Sequence, residues 1–171
     1  MNRDKDIINK DIEGLKSTDK VKAFTAIANL KNKAQLAVPQ LIQVIEDTEE
    51  QSLKTMAIVT LGEIGSQAKD SINTLIYCLQ NEQEEIRSSA ALSLSRIGEN
   101  SLEKLKTVVK EQEGKSRFWA SWAITMINPN EADEEVVNAL NEYRLNGDSD
   151  FEILASIEGL GKVIGNHIKE E

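Results

Sequence analysis

The residues best suited to molecular recognition form one run, Arg117-Phe118-Trp119-Ala120-Ser121-Trp122. This run contains both tryptophans of a chain in which aromatic residues make up only 4%. Trp119 and Trp122 lie three residues apart, so a helix would place them on one face. Tryptophan and arginine often dominate the binding energy of protein interfaces. Two interpretations remain open: the tryptophans anchor a partner in a groove, or they fill space against the last pair of helices.

Side chains that could catalyse a reaction or hold a metal are few and isolated. His167 is the single histidine, and it lies near the C-terminus without a partner for base or metal chemistry. Cys78 is the single cysteine, which excludes an intrachain disulfide and a cysteine metal cluster. Its amphipathic surroundings predict a buried, inert thiol. We therefore expect no catalytic residue, no metal site and no cofactor, and we expect that the chain is not an enzyme.

Acidic residues gather at three places: Glu49-Glu50, Glu82 with Glu84-Glu85, and Glu131 with Asp133-Glu134-Glu135. Each group precedes a predicted helix, where the helix dipole favours a carboxylate by about 0.3–1 kcal/mol. None has the mid-loop glycine of a calcium-binding loop. We interpret the three groups as residues that begin helices rather than as cation sites.

The net charge of −9 over 171 residues limits the classes of partner. Proteins that bind a nucleic-acid duplex usually need a basic surface, so we expect no nucleic-acid partner. A polar N-terminus predicts no secretory signal, and no apolar run approaches the length of a membrane span. We expect a cytoplasmic protein that forms one domain over residues 1–171.

Apolar residues recur every three to four positions along the chain, which predicts ten helices in five pairs. Six helices are predicted at about residues 5–15, 19–32, 35–46, 67–80, 115–127 and 132–145. The other four are expected to begin at capping residues, which are Thr48, Asn81, Asn100 and Ser149. No segment alternates with the period of two that is typical of a strand.

The even-numbered helices repeat one pattern about every 30–33 residues, most clearly where Ala57–Gly65 returns as Ala90–Gly98. Alanines fall in register along the repeat, and large aliphatic residues fall in register one turn later: Ala26, Ala57, Ala90 and Ala120, then Leu30, Leu61, Leu94 and Ile124. The small residues let neighbouring helices approach, and the large ones fill the layer between pairs. One pair cannot bury this face alone, so the pairs must stack.

The repeated sequence pattern resembles that of a known family. Ile86-Arg87-x-x-Ala90-Ala91-x-x-Leu94-x-x-Ile97-Gly98 resembles the second helix of HEAT repeats, and Ala37-Val38-Pro39-x-Leu41-Ile42 resembles the first. The closest likeness is to the short HEAT-like repeats also found in phycobilin lyases, and it covers about residues 20–165. The resemblance implies an all-α, right-handed α-α superhelix of about five antiparallel helix pairs. In such arrays the second helices line a concave face.

The register of that resemblance selects seven residues that we expect to contact a partner on the concave face: Trp119, Trp122, Arg117, Leu92, Arg96, Val59 and Met56. We predict a non-enzymatic scaffold that binds a protein or peptide, and the acidic surface favours a basic partner. The alternatives are an accessory or chromophore-lyase-like HEAT protein, and an acidic immunity-type protein that binds a basic partner. The HEAT-like alkylpurine glycosylases offer a nucleic-acid alternative, which the charge disfavours. The oligomeric state is left open.

Overall fold

The computed structural model describes the backbone of residues 2–170 and the side chains of residues 5–166 and 168. This part of the chain contains helices and no strand, which confirms the predicted all-α class. None of its helices is both long and apolar enough to cross a membrane. The ten α-helices are α1 (Asn2–Gly14), α2 (Lys20–Asn32), α3 (Ala34–Asp47), α4 (Gln51–Ile64), α5 (Ile72–Cys78), α6 (Glu84–Ile97), α7 (Leu102–Glu111), α8 (Gly114–Ile127), α9 (Glu134–Asn146) and α10 (Asp150–Glu170).

Three short 3-10 helices connect successive α-helices at places where the sequence predicts α-helix or a loop. They span Gly65–Ser71, Gly98–Ser101 and Pro129–Glu131. The first two precede α5 and α7, so both helices begin later than their apolar patterns predict. The tighter 3-10 geometry is common at the ends of α-helices and in the segments that connect them.

The chain divides after Ile97 into two compact units, each built from stacked helix pairs. In the first unit α3 contacts α1 and α5, and α4 contacts α2 and α6, so odd and even helices form separate layers. In the second unit α7 contacts α9, and α8 contacts α10 as well as α7 and α9. The same pairing rule therefore holds inside each unit.

The layers between pairs are filled by the residues that the repeat places in register. Ala57, Ala90 and Ala120 have no exposed surface, and Ala26 is 4% exposed. The aliphatic residues one turn later are also fully buried, and they are Leu30, Leu61, Leu94 and Ile124. The predicted register of the even helices is confirmed, and burial of this apolar surface is what holds the pairs together.

The start of α4 differs from the predicted capping box of Thr48 and Gln51. Glu50 is the residue before the helix, its side chain makes no capping bond, and Gln51 is the first helical residue. The Thr48 hydroxyl instead accepts a hydrogen bond from the Glu50 backbone N–H at 3.1 Å. Thr48 therefore orders the turn between α3 and α4, and it lies two residues before the capping position of α4.

Arg87, the arginine of the repeat motif, closes the turn between α5 and α6. It is 3% exposed, and its Nη1 donates to the backbone oxygens of Asn81 at 2.8 Å and Glu82 at 2.7 Å. A charged donor that reaches two carbonyls satisfies backbone groups that the turn would otherwise leave unpaired. The motif arginine, which lies in α6, thus has a structural role: it stabilises the turn that precedes its helix.

The closest approach between α4 and α6 occurs at Gly62. A Cβ atom at this position would lie 2.6 Å from Ser93 Oγ and 2.9 Å from Ser93 Cα. Ser93 is fixed there because its hydroxyl donates to the Ile58 backbone oxygen at 2.8 Å. Gly62 therefore permits the two helices to pack closely, while Gly65 and Gly98, with φ of +72° and +83°, end α4 and α6.

We predict that Gly62→Ala lowers the free energy of unfolding, because the added methyl overlaps Ser93. An alanine in place of a glycine inside a helix ordinarily raises the free energy of unfolding by about 0.8–1 kcal/mol. Helix propensity and the steric clash therefore predict opposite changes in stability here. Overpacking of this kind costs about 1–3 kcal/mol. Urea unfolding followed by circular dichroism measures the difference, and a more stable variant would contradict the close contact.

Candidate partner-binding face

Both tryptophans of α8 are buried. Trp119 is 1% exposed and Trp122 is 8% exposed. The Trp119 ring lies 5.7 Å from the ring of Phe151 in α10, and Trp122 Nε1 donates to Glu158 Oε2 of α10 at 3.3 Å. The two indoles also meet edge to face at 5.8 Å. This geometry corresponds to the packing interpretation, in which the tryptophans fill space against the last helix pair.

The opposite side of α8 is covered by α9. Phe118 stacks on Tyr143 with 4.2 Å between ring centroids, and Phe118 itself is fully buried. Arg117 is half-buried, and its Nη2 lies 3.4 Å from the Glu135 backbone oxygen near the start of α9. Helix α8 is therefore enclosed by its own unit, and Arg117 is directed toward α9.

In the first unit, the repeat positions of the two tryptophans lie on α2, α4 and α6, where they are accessible. Positions that are three, four or seven residues apart share one side of a helix, and the repeat register aligns these sides across the three helices. Phe24 is 68% exposed and Leu92 is 37% exposed. Ala28 and Arg96 are also exposed, and the remaining members are half-buried. We call this surface the even-helix face; its members are Phe24, Ala28, Met56, Val59, Glu63, Ser89, Leu92 and Arg96.

An ion pair between Glu63 of α4 and Arg96 of α6 crosses the even-helix face. Each charged residue follows the apolar residue of its own helix by one turn, so the pair borders the row formed by Val59 and Leu92. The hydroxyl of Ser95 beside this row donates to the Leu92 backbone oxygen at 2.7 Å. The centre of the face is therefore apolar, and its polar groups lie at one border.

Five of the seven predicted contact residues are accessible, and the two tryptophans are not. Leu92 and Arg96 are exposed, and Val59, Met56 and Arg117 are half-buried. Phe24 was missed as a site residue, because its apolar type alone suggested a core position in α2. In the repeat register it aligns with Thr55, Ser88 and Phe118, of which Thr55 and Phe118 are buried, so the register carried no signal of its exposure. The side chain of His167 lies outside the described residues.

The acidic excess is concentrated in the second unit. Residues before Gly98 include 12 lysines and arginines against 14 aspartates and glutamates, whereas residues from Gly98 onward include 8 against 15. The unit that carries the even-helix face is therefore nearly neutral. Attraction of a basic partner by net charge would come mainly from the other unit.

A cavity of the first unit lies beside Cys78. This cavity of about 350 Å³ is lined by residues of α3, α4, α5 and the turn before α6, including Glu46, Lys54 and Tyr77. The Cys78 thiol is buried, and burial raises its pKa from 9.0 to about 11, with smaller opposing effects of Lys54 and Glu46. The thiol is thus held protonated at neutral pH, as expected of an inert core cysteine.

Comparison with known proteins identifies the family. The family model of HEAT repeats matches residues 38–125, about half of the chain. The chain belongs to the HEAT-repeat family. The uncharacterized protein SkfG of Bacillus subtilis (strain 168) is 32% identical over 171 residues, which cover 100% of this chain and 99% of SkfG.

A solved structure shares the fold at lower sequence identity. The complex of CpcE and CpcF of phycocyanin lyase from Nostoc sp. PCC7120 contains a chain that matches with a TM-score of 0.64 and 19% identity. The match covers 90% of this HEAT-repeat protein and 97% of the Nostoc chain. The predicted all-α, HEAT-like fold class and the resemblance to the repeats of phycobilin lyases are confirmed.

We predict that both tryptophans of this HEAT-repeat protein emit at short wavelength and resist quenching by acrylamide, because α10 covers them. Unfolding in guanidinium should shift the emission to longer wavelength and restore quenching. The single-tryptophan variants Trp119→Phe and Trp122→Phe assign the signal to each residue. Emission near that of free tryptophan in the folded chain would contradict the packing against α10.

The Cys78 thiol is predicted to react slowly with a chromogenic disulfide reagent at pH 8. A rise of two pKa units leaves roughly 100-fold less thiolate than an ordinary cysteine has, and burial further limits access. The reaction should speed up as the pH approaches 11 and in the guanidinium-unfolded chain. Equal rates for folded and unfolded protein at pH 8 would show that the thiol is accessible.

Proposed function

We propose that this protein is a scaffold that binds a protein or peptide partner through the even-helix face. The observation that carries the proposal is the row of apolar side chains left accessible on three successive helices of a rigid stack. Phe24, Val59 and Leu92 offer apolar contact, and the Glu63–Arg96 pair offers charged groups at the border. A surface with an apolar centre and a polar rim is typical of protein interfaces.

The rigid backing of the face supports binding without reorganisation. Val59 and Leu92 each lie beside fully buried residues of the same helix, for example Ile58 and Ala91. The face is therefore fixed by the core beneath it, and a partner would not have to order it. Binding to a preorganised surface avoids the entropy cost of ordering flexible segments.

The partner that fits this face carries an apolar side chain at its centre and groups of both charges at the border. The Arg96 guanidinium can donate hydrogen bonds to a carboxylate of the partner, and the Glu63 carboxylate can accept them from an amine or guanidinium. The net charge of −9 additionally favours a partner that is basic overall, since long-range attraction raises the association rate. An immunity-type complex with a basic protein would be one instance of this chemistry.

We expected from the sequence that the two tryptophans contact a partner, whereas in this proposal they have a structural role. Trp119 and Trp122 hold α10 against α8, so their replacement would weaken the fold before it weakened binding. Replacement of a buried aromatic side chain of this size by alanine costs about 3–5 kcal/mol of stability. The chromophore-lyase alternative has no observation in its favour beyond the shared fold, and we do not adopt it.

We predict that Leu92→Glu weakens partner binding at least tenfold, because it puts a charge in the apolar centre of the face. Affinity capture with the intact chain, followed by mass spectrometry, identifies the partner, and titration calorimetry then compares the variants. Leu36→Glu is the matched control, because it makes the same change at a 49% exposed position of α3 in the other layer. A partner that binds the Leu92→Glu chain as tightly as the unaltered chain would refute the proposed face.

A further inference from the structure

Helix α10 carries an apolar stripe on its outer side that nothing in the described chain covers. Leu154 is 63% exposed, Ile157 is 50% exposed, Ile164 is 59% exposed and Ile168 is 69% exposed. Their spacing of three, seven and four residues aligns them along one side of the helix. Gly161 lies in the middle of the stripe, and a Cβ atom placed there would meet nothing within 4 Å. We call these five residues the α10 stripe.

The inner side of α10 is also occupied by core contacts. Ala155, Ser156 and Val163 are buried, and a Cβ atom on Gly159 would lie 3.1 Å from both Leu140 and Thr125. The α10 stripe lies on the opposite side of the helix from these residues, by the helical repeat of 3.6 residues per turn. A helix that is apolar on two opposite sides is typical of a helix packed between two layers.

An apolar outer face on a helix pair of a repeat array is ordinarily covered by a neighbouring element. Here the charged residues of α10 within the stripe's length are Glu158 and Lys162, which lie on one flank and not on the stripe. Beside the stripe, α9 and α10 form a groove of about 510 Å³ lined in part by Val137, Leu160 and Ile164. The outer face of the last pair is thus shaped to receive another helix.

We propose that the α10 stripe is the contact between two copies of this chain, with the two α10 helices antiparallel and related by a twofold axis near Gly161. A twofold contact requires one surface to be complementary to itself. About an axis at Gly161, Ile157 lies opposite Gly165 of the second copy, and Leu154 lies opposite Ile168. Ile157 therefore meets a glycine and Leu154 meets an isoleucine, so the contact is apolar, and Gly161 and Gly165 permit close approach of the helices.

The charges on the flank are complementary in this arrangement. Glu158 and Lys162 lie one turn apart on the side of α10 that faces α8, since Glu158 accepts a hydrogen bond from Trp122 Nε1. A twofold axis at Gly161 brings Glu158 of each copy to the same side as Lys162 of the other. A parallel pair related by a twofold axis would instead carry Glu158 and Lys162 of the second copy to the opposite flank, where the opposite charges do not meet. Charge complementarity thus selects the second copy and its direction.

Net charge opposes the contact at long range, and this gives the proposal a distinctive dependence on salt. The second unit has 8 basic and 15 acidic side chains, so two copies repel each other at low ionic strength. Salt screens this repulsion beyond about 10 Å at 0.1 M, whereas the apolar contact is unaffected or strengthened. Dimerisation should therefore become tighter as sodium chloride increases.

Sedimentation-velocity measurements on the full chain test the assembly. We expect a concentration-dependent dimer that strengthens between 20 mM and about 300 mM sodium chloride, in line with the screening argument. Ile164→Glu should yield a monomer, because it buries a charge in the apolar contact, and Leu36→Glu on α3 is the matched control that should leave the dimer intact. A chain that stays monomeric at high salt and about 100 µM, or an Ile164→Glu chain that still dimerises, would overturn the proposal.

Cross-linking tests the register independently. Gly161→Cys introduces a thiol at the proposed axis without a clash in the monomer, and mild oxidation should convert that chain to a disulfide-linked dimer. Ser52→Cys, an exposed position of α4, should remain mostly monomeric under the same conditions. The buried Cys78 provides the background in both variants. Equal cross-linking of the two variants would contradict the axis at Gly161. A chain that binds lipid vesicles as a monomer would contradict the pairing of two copies.

Discussion

The stacking of helix pairs depends on apolar layers that no pair can cover alone. Each of α2, α4, α6 and α8 carries an alanine and, one turn later, a large aliphatic residue, and both are buried. Because every pair has two such sides, the array is stable only where neighbours supply the missing contacts. The close packing of Gly62 against Ser93 illustrates this constraint, since the backbone of α4 there lies directly against the backbone and side chain of Ser93 in α6.

The same repeat position has different uses in the two units because its neighbours differ. Leu92 of α6 and Trp122 of α8 are equivalent in the repeat register, yet Leu92 is 37% exposed and Trp122 is 8% exposed. In the second unit, α10 contributes Phe151 and Glu158 to cover the α8 position. The first unit leaves its row open, and that row is the surface that we propose for binding. On α10 the uncovered side is the one that we propose for pairing.

Much of the fold followed from the sequence because the repeat supplied its own alignment. Positions such as Ala90 and Leu94 recur with the same neighbours, so their burial could be inferred without a structure. Helix boundaries were less accurate where capping was involved, as at Thr48, because a hydroxyl can bond to the preceding turn instead of the helix. The environment of Trp119 could not be derived from its register, since it depends on how α10 crosses α8, and long-range packing of that kind leaves no periodic signal. Phe24 was missed for the converse reason: apolar type predicts burial, but α2 leaves this side uncovered.

Native-state hydrogen exchange resolved by mass spectrometry measures most directly whether neighbouring pairs stabilise one another. Helix α4 has eight buried residues and contacts both α2 and α6, whereas α2 has three. The account predicts that amides of α4 exchange more slowly than those of α2 at equal intrinsic rates, because opening α4 exposes two apolar layers. Equal or faster exchange in α4 would contradict the claim that mutual coverage of the pairs holds this protein together.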